Sequence, residues 1–562
     1  AVPPRLTLRS AVDIATKLTI PSIAAVDSSM DEAAIRDALT GNFDKHAADI
    51  AKLTATSITI PEISFTITAT TSGTPVTTTV SYKDIVLSGV KDGVAAEASV
   101  GSATSTTDAG SFEFGALSAK AFDIGGLMSF YSVVPASADP GFKPIYKDFV
   151  FAGGKFTSPT VSCALGQITA AEFDTRPLKV PFSQFMALSQ GLKDTKPTPE
   201  QMKTLVDFFV DVFTAFKSEP ITMDGLSCSG SGEDKQPFAF SVGKLKMDGY
   251  APGIYPGITA TDIKLTGGGD GAISISEATF KQTDLSQPLK ALQDAGATLT
   301  PDWFETNYRL IVPAFAGFSF KGLSIDVPPG DTDGSRVKVD IADFDLTLAN
   351  YVNGIPTSIS SVSHGIDVPL PADSEDESVK TLLALGISHV NLNYEFGLNW
   401  DQASQTINVS KIAVSGNDLG SVAVAALIGN ATPQLFALDT NAQLAAGQNV
   451  TLKSFGLDLA DAGIADRFMP LLAAQEGVSD PAEYRVKMGG ALEGAVLGIL
   501  GSTDEARAVG AAIGDFVSGK AKALSIKVDA VSPAGLPLPL VMQAQSDPSV
   551  LRGEVTVSGS AH

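Results

Sequence analysis

The chain has 562 residues, of which 44% are apolar and only 18% charged, and 62 acids against 39 bases give a formal net charge of −23. That balance argues against nucleic acid and anionic membrane surfaces as main partners, because both repel an acidic protein. The length exceeds one ordinary core and suggests about three or four units of ~150 residues, although extended β proteins break that rule.

The chain opens Ala1-Val2-Pro3-Pro4 without an initiator Met, which reads as a mature end left by export processing or trimming. Residues 30–53 carry apolar side chains at Ile35, Leu39, Phe43, Ile50 and Leu53. They predict a helix capped by Ser29, with His46 on its solvated side. Ile58-Thr59-Ile60 and Ile63-Ser64-Phe65-Thr66-Ile67 alternate apolar and polar residues, as half-buried strands do. Thr70 to Pro75 then turns the chain, with Gly73 and Pro75 supplying the bend. Ile85-Val86-Leu87 continues the strand pattern.

Cys163 and Cys228 each lie beside a strand-like run, 65 residues apart. A low, even cysteine count suits an oxidising compartment, and these two are expected to form one disulfide. Its loop closure is worth about 4 kcal/mol at most. Between them, residues 199–217 predict a helix capped by Thr198. Met202, Leu205, Phe209, Phe213 and Phe216 make one face, and Phe208 and Val212 widen it beyond an ordinary amphipathic stripe. Such a helix is sandwiched in a core, or it closes one side of an apolar groove or meets a partner. Phe208, Phe209, Phe213 and Phe216 are therefore the candidate ligand-binding residues.

Strand signals return at Phe238-Ala239-Phe240-Ser241-Val242 and Ile273-Ser274-Ile275, with the flexible turn Gly267 to Gly271 between them. Pro301 begins a short helix capped by Thr300. Phe318-Ser319-Phe320, Leu323-Ser324-Ile325 and Val337-Lys338-Val339-Asp340-Ile341 are strands around a hairpin loop at residues 328–334. The acidic stretch 371–377 is the best candidate linker. Val390-Asn391-Leu392-Asn393-Tyr394, Ile407-Asn408-Val409 and Leu524-Ser525-Ile526-Lys527-Val528 complete the strands, and two helices are expected at about 482–500 and 503–523. Residues 422–438 are the most apolar run, but Gly429, Asn430, Thr432, Pro433 and Gln434 break it, so no membrane-spanning helix is expected.

One phrase recurs. Tyr82-Lys83-Asp84-Ile85-Val86-Leu87, Ile221-Thr222-Met223-Asp224-Gly225-Leu226, Ala260-Thr261-Asp262-Ile263-Lys264-Leu265 and Phe320-Lys321-Gly322-Leu323-Ser324-Ile325 share a strand, a Gly or Asp step and a second strand. The phrases have no strict period. Together with residues 392–401 and 455–467 they resemble the AsmA-like and YdgA-like bacterial periplasmic proteins. That resemblance implies a β-rich periplasmic protein, inner-membrane-tethered or soluble, linked to envelope lipids. The fold expected is mainly β with accessory α-helices (α+β), in long curved antiparallel sheets, elongated, as two similar halves over residues 1–300 and 301–562.

Catalytic signatures are sparse. The only histidines are His46, His364, His389 and His562, with no zinc spacing and no Gly-x-Ser-x-Gly elbow. Gly514-Asp515-Phe516-Val517-Ser518-Gly519-Lys520 matches a phosphate loop, but Ala521 stands where a Ser or Thr must hold magnesium. Asp331 and Asp333 offer calcium two carboxylates and no closing Glu. No metal, cofactor or catalytic residue is expected. The function expected is non-catalytic binding or transfer of a lipid or other apolar ligand, or contact with an envelope protein, in the periplasm or on the surface of a Gram-negative bacterium. The alternative is a structural or adhesive surface protein that self-assembles.

Overall fold

Alternating strands dominate the sequence, and antiparallel ladders dominate the fold. The computed structural model describes residues 13–71, 74–107, 109–135, 141–192, 197–232, 235–267, 270–329 and 336–562. The fold is α+β, mainly β, as the alternation predicts. The chain divides into two units, Ala1–Asp270 with Gln282–Phe304, and Gly271–Lys281 with Glu305–His562.

In the first unit, strands Ala55–Thr71 and Thr74–Val90 pair along nearly their whole length. The recurrent phrase marks where these strands bulge. Ile60 pairs with Ile85, and Glu62 pairs with Lys83, so Pro61 and Asp84 stand between the regular pairs. One residue on each strand leaves the ladder there without changing the register, and the alternation shifts by one on both strands, which is why Ile58 and Ile60 share a phase that Ile63, Phe65 and Ile67 leave. Pro61 has no amide proton to lose and is tolerated there. Asp84, Asp148, Asp262, Gly322 and Gly365 all take positive φ between +47° and +59°. Asp and Gly reach that left-handed region at least cost.

The bulges continue from strand to strand. Gly101 donates to the carbonyls of Lys83 and Asp84, Gly166 donates to Gly225, and Gly243 donates to Thr261. A Cβ on Gly166 would lie 1.8 Å from the Asp224 carbonyl, so only glycine fits this close approach. Such bulges bend a strand and increase its twist.

Below the bulges the sheet is covered. Ile20, Ile23, Met30, Leu53, Ile58, Ile60 and Ile63 form a core, with Ile35 and Ile50 packed on it. The segment expected as one helix over 30–53 is Glu32–Asp37, a π turn Ala38–Asn42 and Phe43–Ile50. Gly41, at φ +124°, breaks it. The cap is Asp31, whose carboxylate accepts from the Ala34 amide at 2.8 Å, and not Ser29, which bonds Thr54 just before the next strand. The break also turns His46 inward. It is half-buried and meets Asp37 at 2.9 Å instead of facing water.

The second unit is an antiparallel meander of ten strands: Gly271–Phe280, Gly317–Val327, Val337–Val352, Ile355–Pro369, His389–Asp401, Thr406–Gly416, Gly420–Gly429, Thr451–Asp461, Ala523–Ala530 and Val555–Ala561. The acidic stretch 371–377 lies inside this unit, where Asp376 caps helix Glu377–Ala384. Trp400 and Phe436 close one end of the sheet, 4.6 Å apart, and the indole donates to the Ala431 carbonyl. Helices Pro481–Leu500 and Asp504–Ser518 form a hairpin, the second ending five residues before the expected 523 at the left-handed cap Gly519. A Cβ on Gly489 would stand 2.7 Å from the Gly514 carbonyl, and Val509 packs on Gly559 of the last strand. Among the described residues no helix is long and apolar enough to cross a membrane.

Candidate functional site

The Phe-rich helix is Pro199–Thr214, begun by a Thr198/Gln201 capping box and Pro199. It stops before Phe216. That residue opens strand Phe216–Ser218 and stacks on Tyr250 at 4.3 Å. The other three phenylalanines diverge. Phe208 is 5% exposed and stacks on Phe185 at 4.1 Å, whereas Phe209 and Phe213 are 51% and 39% exposed. The four side chains therefore do not line one wall of a groove.

The reason is a charge. Asp211 is buried, ion-paired with the Arg176 guanidinium at 2.7 Å and accepting from the Lys179 amide. Arg176 also donates to the Thr214 hydroxyl at 2.9 Å. A buried carboxylate needs such partners, and holding it turns the 208/211/215 face inward. The signal was present in the sequence: Asp211 stands three residues after Phe208 and four before Ala215.

Alternation implies an apolar face on each sheet, but sequence reasoning assigned no residues to it. In the first unit, direct cross-strand pairs run Leu18, Phe65, Val80, Ser105, Phe112, Phe156, Cys163, Cys228, Phe240, Leu265. The row beside it, on the other face, runs Lys17, Thr66, Thr79, Thr106, Ser111, Thr157, Ser162, Ser229, Ala239, Thr266. One face is apolar and the other is hydroxyl-lined. No residue of the apolar row is fully buried, and Phe112 and Leu265 are exposed. Cys163 and Cys228 form the expected disulfide within this row, their Cα atoms 4.0 Å apart.

The second unit repeats the arrangement. Its apolar face carries Phe318, Phe320, Phe344, Tyr394, Phe396, Ile412, Val414 and Val422 on neighbouring strands, with Ser363 paired between Phe344 and Tyr394. Phe344 stacks on Phe320 at 5.2 Å and meets Phe318 at 5.1 Å and Tyr394 at 6.5 Å. The helical hairpin packs at the far edge, over Gly559, while Phe318, Ile412, Val414 and Val422 stay 40–49% exposed. None of these strip residues carries a charge at neutral pH. The opposite face holds Ser319, Asp345, Glu395, Lys411, Asp458 and Ser525. Small residues there leave a trough of about 420 Å³ lined by Asn408, Ser454, Asp458, Ser525, Lys527 and Ser558.

The charged groups form ties. Burial pushes the Asp461 carboxyl up, but the Lys522 ammonium at 2.9 Å and the amides of Ala465 and Gly463 outweigh it, holding it below its usual range. Arg485 bonds Asp466 at 2.7 Å beside it. His364 meets Asp343 at 2.7 Å across neighbouring strands, and His389 meets Asp367 at 3.5 Å. Among the described residues no three His, Cys, Asp or Glu side chains gather as a metal site. Asp331 and Asp333 lie outside the described residues, as do Gly268 and Gly269 of the glycine turn. The 514–520 match is the end of a helix, with Lys520 paired to Asp515 at 3.1 Å, and no strand precedes it as a phosphate loop requires.

No curated protein and no solved structure matches the chain. A family model described as "Uncharacterized protein" matches residues 413–561, which take in the last strands of the second unit and its helical hairpin.

Proposed function

We propose that this chain binds or transfers a lipid or other apolar ligand along the open apolar strips of its sheets, without catalysis, in the periplasm or on the surface of a Gram-negative bacterium. The observation carrying this reading is the strip in the second unit, where Phe318, Ile412, Val414 and Val422 stay exposed around the Phe320–Phe344 stack. Exposed contiguous apolar surface is costly in water and marks a binding surface. The disulfide suits an oxidising compartment.

The test is mass spectrometry of an organic extract of the purified protein, with titration of an apolar fluorescent probe. Co-purified lipid and saturable probe binding are expected. Phe344→Ser with Val414→Ser should weaken the probe several-fold. An empty extract together with no probe binding would sink the reading.

A second reading, a self-assembling structural or adhesive protein, draws on the hydroxyl rows of the opposite face. Light scattering at high concentration separates the two, since assembly predicts growing particles and ligand binding predicts a constant mass.

A further inference from the structure

The first unit carries a second apolar surface, distinct from the strip. Helix Phe182–Gly191 contains no ionisable residue and no fully buried one. In a chain with a net charge of −23, ten uncharged helical residues stand out. A helix this short with so little burial is marginal by itself in water. It is held through Phe185, which stacks on Phe208 and meets Phe209 at 5.7 Å. Phe182 and Met186, one turn apart, are exposed on it. Phe209 and Phe213, also one turn apart, are exposed on the neighbouring helix. Tyr131 extends the patch, 6.0 Å from Phe182.

We infer that this pair of helices docks the protein on the interface of an electrically neutral lipid bilayer. Aromatic and Met side chains on one face of a helix partition into the boundary between headgroups and acyl chains. The chain's charge repels anionic surfaces, and a patch without ionisable groups on its outer helix meets a zwitterionic surface at no electrostatic cost. A soluble ligand of the strip would not require this patch, so the inference stands apart from the reading above.

The experiment is flotation of the full chain with vesicles of phosphatidylcholine alone, at low and high salt. The expected result is co-flotation at both, reduced at least tenfold by Phe182→Ser with Phe209→Ser and also by Met186→Asp alone. Each site is exposed, so the melting temperature of each variant checks that the fold persists. Phe344→Ser in the strip should leave flotation unchanged. The inference is overturned by no flotation, by equal flotation of the folded variants, or by flotation that needs anionic lipid and vanishes in salt. It is also overturned if light scattering shows a dimer that these variants convert to monomer, since a second copy then covers the patch.

Discussion

The two units meet one problem in different ways. Each must hold helices on a sheet whose apolar face is longer than they cover. The first unit relies on a few strong ties: the Arg176–Asp211 pair and the disulfide. Its helix Phe182–Gly191 buries nothing fully. The second unit relies on close packing of small residues: Gly489 against Gly514, and Val509 against Gly559, with Ala506, Val509, Gly510, Ala512 and Gly514 all buried. The lesson is that loose aromatic packing leans on its polar anchor, whereas in the hairpin the anchor, Arg485 with Asp461 and Asp466, works alongside tight backbone approach.

That comparison can be broken. Arg176→Ala leaves Asp211 buried and unpaired, which should cost about 3–5 kcal/mol. Hydrogen exchange should show the opening at residues 176–215 and not at 481–518. Opening of both stretches together would erase the distinction. Replacing both Cys163 and Cys228 with Ser should cost about 2–4 kcal/mol, read from the denaturant midpoint with its slope.

In the second unit, Gly489→Val forces a side chain against the Gly514 carbonyl. It should cost about 1–3 kcal/mol in calorimetry, with protection lost first in the helical hairpin. The smallest effect is in acid. The folded Asp461 carboxyl lies below its ordinary value of 3.8. Its contribution is therefore complete above that value and is lost as pH falls through the lower folded value. Asp461→Asn should flatten this part of the acid loss in urea midpoints measured below about pH 4.

Much of the fold was legible in the residues. Alternation located the strands, Thr198 and Pro199 located a helix start, and the cysteine pair was expected from count and context. The exceptions have physical causes. Gly41 broke a helix whose apolar spacing continued past it. Asp211 reversed the face of the Phe-rich helix, because periodicity counts apolar residues and not the partner that a buried charge finds. Alternation implied an apolar sheet face, but the residues of the strips were not identified because each strand contributes only one or two residues to a row, and pairing assembles the row from segments far apart in sequence.

The aligned bulges have a consequence for how such a protein tolerates change. Side-chain parity is reset at mid-strand, so the two tiers of the sheet behave as separately phased surfaces. Were Asp84 to take an ordinary strand conformation, strict alternation from Tyr82 onward would turn Ile85 and Leu87 from the buried core toward the side of the hydroxyls. Adding or removing residues in pairs away from the bulge line preserves both faces. Length changes in these strands are therefore read in twos, like gear teeth that mesh only at even counts.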